Sequence, residues 1–363
     1  MKRYLALAAL LIAASASPAR SADGQCDAPT DTKSVIAVYS NQYDTAAPQS
    51  FGWDIYLLDP SVRDANGMMT VWKHFPGRDA DFAAAISPDG KGRIVFDSNR
   101  NRPAGAPLNT SELFLLKARE DVPEPVRLAR GSSASWSPDG KRIVFHASES
   151  GSGVPINPNP GAPTADSVIF VAKVGDLLEG ATPTQITDPP EGQVDDDSDW
   201  SPAGDTIAFV RKDRVNPDQN NPTTAEIYAV QADGTGLVQL TDNDIEERSP
   251  AWSPDGSRIV FSCRLGIRGG NNLELCLMNA DGSGVVVVTD NTLADLSPRF
   301  TPDGTQILFQ RPLANPIPGQ GQQTWIMSAD GSVQAGEQLT APPGIHNFPS
   351  WGEIKCAGQQ GGE

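Results

Sequence analysis

One phrase, an aromatic or apolar residue followed by Ser/Thr-Pro-Asp-Gly, recurs along this chain and constrains it more than any other feature. It reads Ile86-Ser87-Pro88-Asp89-Gly90, Trp136-Ser137-Pro138-Asp139-Gly140 and Trp200-Ser201-Pro202-Ala203-Gly204. It returns as Trp252-Ser253-Pro254-Asp255-Gly256 and Phe300-Thr301-Pro302-Asp303-Gly304, and a shortened copy, Pro349-Ser350-Trp351-Gly352, sits near the carboxyl end. Successive full copies stand 48 to 64 residues apart, a period that belongs to arrays of small repeated units.

Each copy has the chemistry of a hairpin turn. Pro fixes φ at its second position, Asp accepts local backbone hydrogen bonds, and Gly takes the left-handed conformation. A strand ending in the aromatic enters the turn, and a β-rich strand leaves it, as in Arg93-Ile94-Val95-Phe96 and Arg258-Ile259-Val260-Phe261. A third strand follows, such as Glu226-Ile227-Tyr228-Ala229. Asp-Gly turns come next at Asp233-Gly234, Asp281-Gly282 and Asp330-Gly331, and a fourth strand ends in phrases such as Gln239-Leu240-Thr241. Four antiparallel strands make one blade, so the fold expected is all-β, a six-bladed β-propeller. The beginning of the chain lacks a first strand but supplies the other three at Ser34–Val38, Asp54–Leu58 and Thr70–Lys73. The strand around Trp351 is left over. The wheel is therefore expected to close by pairing of the N- and C-terminal strands, which removes an exposed sheet edge.

The (W/F)-(S/T)-P-D-G-x-x-I-x-F phrase, followed by E-I-Y and Q-L-T, resembles the PD40 (WD40-like) repeat of TolB-type propellers. The resemblance covers nearly all of residues 34–352 and implies fold and export. One departure limits it. In TolB a separate α/β domain precedes the propeller, and residues 23–33 leave no room for one, so neither that domain's contacts nor a Tol role is implied.

Lys2 and Arg3 precede an apolar run, Leu5 to Ala14, followed by small residues with cleavage options at Ala14-Ser15-Ala16 and Ala19-Arg20-Ser21. Residues 1–22 read as a signal peptide and 23–363 as the propeller, exported to the periplasm or the extracellular space. The formal charge is −17, and near −20 once Lys2, Arg3 and Arg20 are removed. Such a surface repels phosphate backbones and anionic membranes, so nucleic acid and membrane insertion are not expected. The chain reads as a monomer.

Four cysteines in an exported chain suggest two disulfides. Cys263 lies two residues after Phe261, where other blades have Ser98, Ala147, Arg211 and Arg311, and Cys276 takes a third-strand aromatic position. These strands are hairpin neighbours, so a cross-strand bond is expected, with two buried free thiols as the alternative. Cys26 and Cys356 flank the seam, and a bond between them would close a loop of about 330 residues.

The Pro-Asp-Gly and Asp-Gly turns fall on one face and are short. On the other face run long connections at 42–52, 101–109, 149–165, 212–224 and 312–322, and variable loops on a rigid scaffold mark that face for binding. Five positions ahead of each turn aromatic (or Ile86) stand Asp81, Gly131, Asp195, Glu247, Asp295 and His346, and Asp196, Asp197, Asp199 and Glu246 thicken the charge. The expectation is a ring at the mouth of the central channel, suited to a Lys/Arg-bearing peptide or to a hard cation such as Ca²⁺. The competing reading is solvated loop carboxylates. No other cofactor and no firm metal site is expected. The chain has no G-x-S-x-G elbow, and its three histidines, His74, His146 and His346, fall in different blades. It therefore reads as a non-catalytic propeller binding a protein or peptide partner through its loop-rich, acidic face. The alternative is a metal-assisted enzyme of the channel mouth, such as a polysaccharide lyase, built around His146 and His346.

Overall fold

Six four-stranded antiparallel sheets make up the fold of the computed structural model. It describes residues 32–40, 54–75, 81–100, 111–120, 123–148, 167–213, 225–264, 272–314, 321–331, 336–340 and 346–355. The closing blade has the spatial order His346–Lys355, Thr32–Ser40, Asp54–Arg63, Met69–Phe75. Its seam runs from Thr32 opposite Lys355 to Ser40 opposite His346. Head-to-tail closure is thus as the repeat pattern predicts. Blades two to six begin at Asp81, Ser132, Gln193, Glu247 and Leu296.

The second strands are apolar without alternation because both of their faces are covered, one by each neighbouring blade. Phe96, Phe145, Phe209, Phe261 and Phe309 close these strands and are all but inaccessible, and burying a side chain of this size stabilises by roughly 1.5–3 kcal/mol. The turn aromatics join blade to blade. Arg142 stacks its guanidinium 4.6 Å from the Trp200 ring and donates to the Gly204 carbonyl at 2.8 Å. Arg93 over Trp136 and Arg258 over Phe300 repeat the contact at 4.9 and 5.5 Å.

The repeated turns close as their composition requires. Ser253 Oγ donates to Asp255 at 2.6 Å and Gly256 N to the Ser253 carbonyl at 2.9 Å. Gly256 sits at φ 72°, and a Cβ there would stand 3.1 Å from Pro202 of the preceding blade. Blade four has Ala203 at the acidic position, and Asp205 takes over the bond from Ser201 Oγ at 3.1 Å.

Two features depart from the repeat. In blade three a short helix, Val174–Leu178, replaces the Asp-Gly turn and buries Val174 and Leu177. In blades two to six the first strand carries an irregularity of register: Phe82/Ala85, Ser132/Ser135, Asp196/Asp199, Arg248/Ala251 and Leu296/Arg299. An extra residue is accommodated at each by a left-handed backbone at Ala83, Ser133, Asp197, Ser249 and Ser297, with φ between 43° and 53°.

Candidate functional site

Four of the carboxylates expected to ring the channel mouth, Asp81, Asp195, Asp295 and Glu247, are held inside the blades. Asp195 faces Arg211 across the first and second strands of blade four, and the two form a bidentate pair at 2.7 and 2.8 Å. Asp295 and Arg311 do the same in blade six at 2.6 and 2.8 Å, and both aspartates are 0% exposed. In blade two Arg100 reaches Asp81 with two bonds of 2.9 Å. Each guanidinium is also sandwiched by rings of its own blade. Arg311 lies 4.9 Å from Phe309 and 5.0 Å from Trp325, and Arg211 lies 5.0 Å from Tyr228. A planar cation that forks onto a carboxylate and stacks on aromatics is a use specific to arginine.

Blade five replaces this clamp. Cys263 stands where Arg211 and Arg311 stand, Cys276 takes the aromatic position, and the two form a disulfide. Glu247, opposite Cys263, keeps the acidic position, and among the described residues no cation pairs with it. Its oxygens take bonds from Thr241 Oγ1 and, at 3.0 Å, from Asn243 Nδ2, and burial pushes its pKa up to about 7. Clamp and disulfide serve one place in the blade: the roots of the connection from second to third strand.

The expectation of an available ring is therefore corrected for Asp81, Asp195, Asp295 and Glu247, because burial and internal bonds commit them. Asp196 pairs with Lys212, whose ammonium is held above its usual pKa by the attraction of Asp196. Glu246 pairs with Arg248 and Arg264. Burial raises its carboxyl, but the two cations outweigh that and hold it below its usual value. Of the expected acids, Asp197 and Asp199 line the channel. The backbone of His346 pairs with Ser40, and its side chain lies outside the described residues. The His146 imidazole is buried, which lowers its pKa against the pull of Asp196 and Asp197. Among the described residues no three His, Cys, Asp or Glu side chains converge to hold a metal ion. Cys26 and Cys356 lie outside the described residues.

The channel encloses about 210 Å³ along the axis, walled by the first strands. Its upper tier is the set of left-handed residues. The next tier is the position before each turn aromatic, with Ala85, Ser135, Asp199, Arg299 and Ser350 on the wall. Asp199 ties three blades together, accepting from Ser135 Oγ at 2.8 Å and from Trp252 N at 3.0 Å. Burial raises its pKa, and the attraction of Arg299 opposes that rise. Behind the wall the buried Asp97 accepts from Ser132 Oγ and from Ser133 N at 3.0 Å, and burial pushes it up to about 7. The arginine clamps, Asp97 and Arg299 escaped the sequence reading. The clamps were within reach of it, since Asp195 and Arg211 occupy facing positions of one hairpin.

Two solved TolB structures share the fold. Against TolB from Acinetobacter baumannii the TM-score is 0.57 at 18% identity, covering 87% of this chain and 66% of that one. Against a putative TolB from Agrobacterium tumefaciens it is 0.55 at 21% identity, covering 86% and 91%. Dipeptidyl-peptidase 5 of Porphyromonas gingivalis is 39% identical over 67 residues, which are 18% of this chain and 9% of the peptidase. The chain thus spans under a tenth of that curated relative and just under two thirds of the first TolB. The family model described as the TolB β-propeller domain, PD40, matches residues 164–355, more than half of the chain. Repeat, closed six-bladed wheel and family match agree that this chain belongs to the PD40 TolB β-propeller family.

Proposed function

We propose that this chain is an exported binding propeller that engages a protein or peptide partner through its loop-rich face. The observation that carries this reading is the locking of the loop roots. Arg100, Arg211, Arg311 and the Cys263–Cys276 bond all sit where the long connections from second to third strand leave the sheet. Loops held on rigid roots present side chains at a low cost in ordering, the arrangement of a recognition surface. The connections themselves, such as 212–224 and 312–322, are rich in Pro, Asn and Gln, residues suited to adaptable polar contact. The opposite face offers short turns whose polar groups are spent on one another.

Export is part of the proposal and rests on the basic, then apolar, first residues. Placing a photo-crosslinking residue in the long connections, at Asn157, Asn220 or Gln320, and in the short turns, at Lys141 or Ser257, tests the reading in cells. Adducts are expected from the first set alone. Equal adducts from both sets, or none, would overturn it.

A further inference from the structure

Arg299 is an anomaly in a strongly acidic chain. Its guanidinium stands on the channel wall, and among the described residues its one hydrogen bond is to the neighbouring Pro298 carbonyl at 3.0 Å. Other arginines near the first strands are clamped or stacked, whereas this one keeps most of its five donors free toward the cavity. Asp199, its closest electrostatic partner, has both oxygens already engaged by Ser135 and Trp252.

Asp197 supplies the opposite charge one tier above. Ser249 donates to its Oδ2 from N and Oγ at 3.3 and 3.2 Å, and among the described residues no donor reaches its Oδ1. The backbone of Asp197 is held at φ 51°, a conformation that disfavours most side chains and turns this carboxylate onto the wall. Serines, among them Ser133, Ser249 and Ser297, make up much of the rest of the wall. Ser198 belongs to that wall, and its buried Oγ has no partner among the described residues.

The charges select a ligand class. A simple anion would meet Arg299 but be repelled by Asp197 and Asp199. A simple cation would meet Asp197 but be repelled by Arg299. We propose that the channel binds a small zwitterion, a free amino acid or short peptide, whose carboxylate docks on Arg299 and whose ammonium docks on Asp197. A cavity of about 210 Å³ takes a molecule of that size and excludes a folded partner. Charge-assisted bonds in a channel walled by protein are stronger than in water, and a mismatched charge there is rejected for the same reason.

The full chain is titrated by calorimetry with alanine, alanyl-alanine and trialanine. The two controls are N-acetyl-alanyl-alanine, which lacks the ammonium, and alanyl-alanine amide, which lacks the carboxylate. At least one free zwitterion is expected to bind with a dissociation constant on the order of 0.1–1 mM, and the length preferred reports whether single amino acids or peptides are the source. Capping either end of the preferred ligand is expected to weaken binding tenfold or more. Arg299→Met should abolish discrimination between acid and amide, and Asp197→Asn, which tolerates the left-handed backbone, should abolish discrimination between amine and acetamide. The capped ligands act on the unaltered protein, so the test survives a variant that folds poorly. No saturable binding of any free zwitterion, equal binding of capped and free forms, or discrimination unchanged in Arg299→Met would each overturn the proposal.

Discussion

Glu247 lies directly opposite Cys263, at the place where Asp195 faces Arg211 in the preceding blade. The acid keeps its position and the cation is gone, so burial raises the carboxyl from 4.5 to about 7. Between those values the folded protein holds a proton that the unfolded chain has released, so stability falls as pH rises through this window. Asp97 adds a second step of the same sign, from 3.8 to about 7. Urea unfolding at pH 5 and pH 8 is expected to show a loss of about 1–3 kcal/mol for each group in the native chain. Glu247→Gln should remove one step, and Glu247→Gln with Asp97→Asn should flatten the window.

The disulfide of blade five closes a short loop, its cysteines being 13 residues apart. Replacing both by alanine is expected to cost about 2–3 kcal/mol of unfolding free energy. Cys263→Arg with Cys276→Tyr should recover part of that loss by rebuilding the clamp on Glu247. The same double change should bring the pH step of Glu247 down, because the carboxylate regains a counter-ion. Denaturation of the three proteins side by side checks both statements.

Asp295 and Arg311 are buried together, and removing one partner strands the other. Arg311→Met is expected to destabilise by about 3–5 kcal/mol, whereas Arg311→Met with Asp295→Leu should cost less than the single change. A double-mutant cycle measured by thermal and chemical unfolding gives the coupling. Additive losses would show that the bidentate pair contributes nothing of its own.

Deleting residues 345–363 removes the first strand of the closing blade and bares the edge of Thr32–Ser40. The truncated chain is expected to lose its cooperative transition or to associate through that edge. Scanning calorimetry and sedimentation distinguish it from the full chain. An unchanged melting temperature would contradict closure by the seam.

Much of this was legible in the residues, because a hairpin turn is local chemistry. Pro138, Asp139 and Gly140 specify the bend wherever it recurs, and the missing first strand near Ser34 pointed to Trp351. The acids were misread for a physical reason. Asp195 and Arg211 are 16 residues apart in sequence and meet only across a strand pair, so comparison of equivalent positions from blade to blade concealed the pairing across the hairpin. The left-handed wall was beyond reach. Ala83 and Ser297 are not residues that a positive φ attracts, and the conformation comes with the extra residue at the register irregularity of each strand. The helix at Val174–Leu178 was missed because the segment lacks the Asp-Gly pair that marks the equivalent turns elsewhere.

The seam between Thr32–Ser40 and His346–Lys355 sets an order of events. A chain emerging from its first residue onward carries Thr32–Ser40 with one edge unpaired until His346–Lys355 is made, however many later blades have already collapsed. Long-range contacts of this span are the slowest to form. Ring closure waits for that strand, and any protease or chaperone that surveys the nascent chain sees the open edge of Thr32–Ser40 for the whole of that interval.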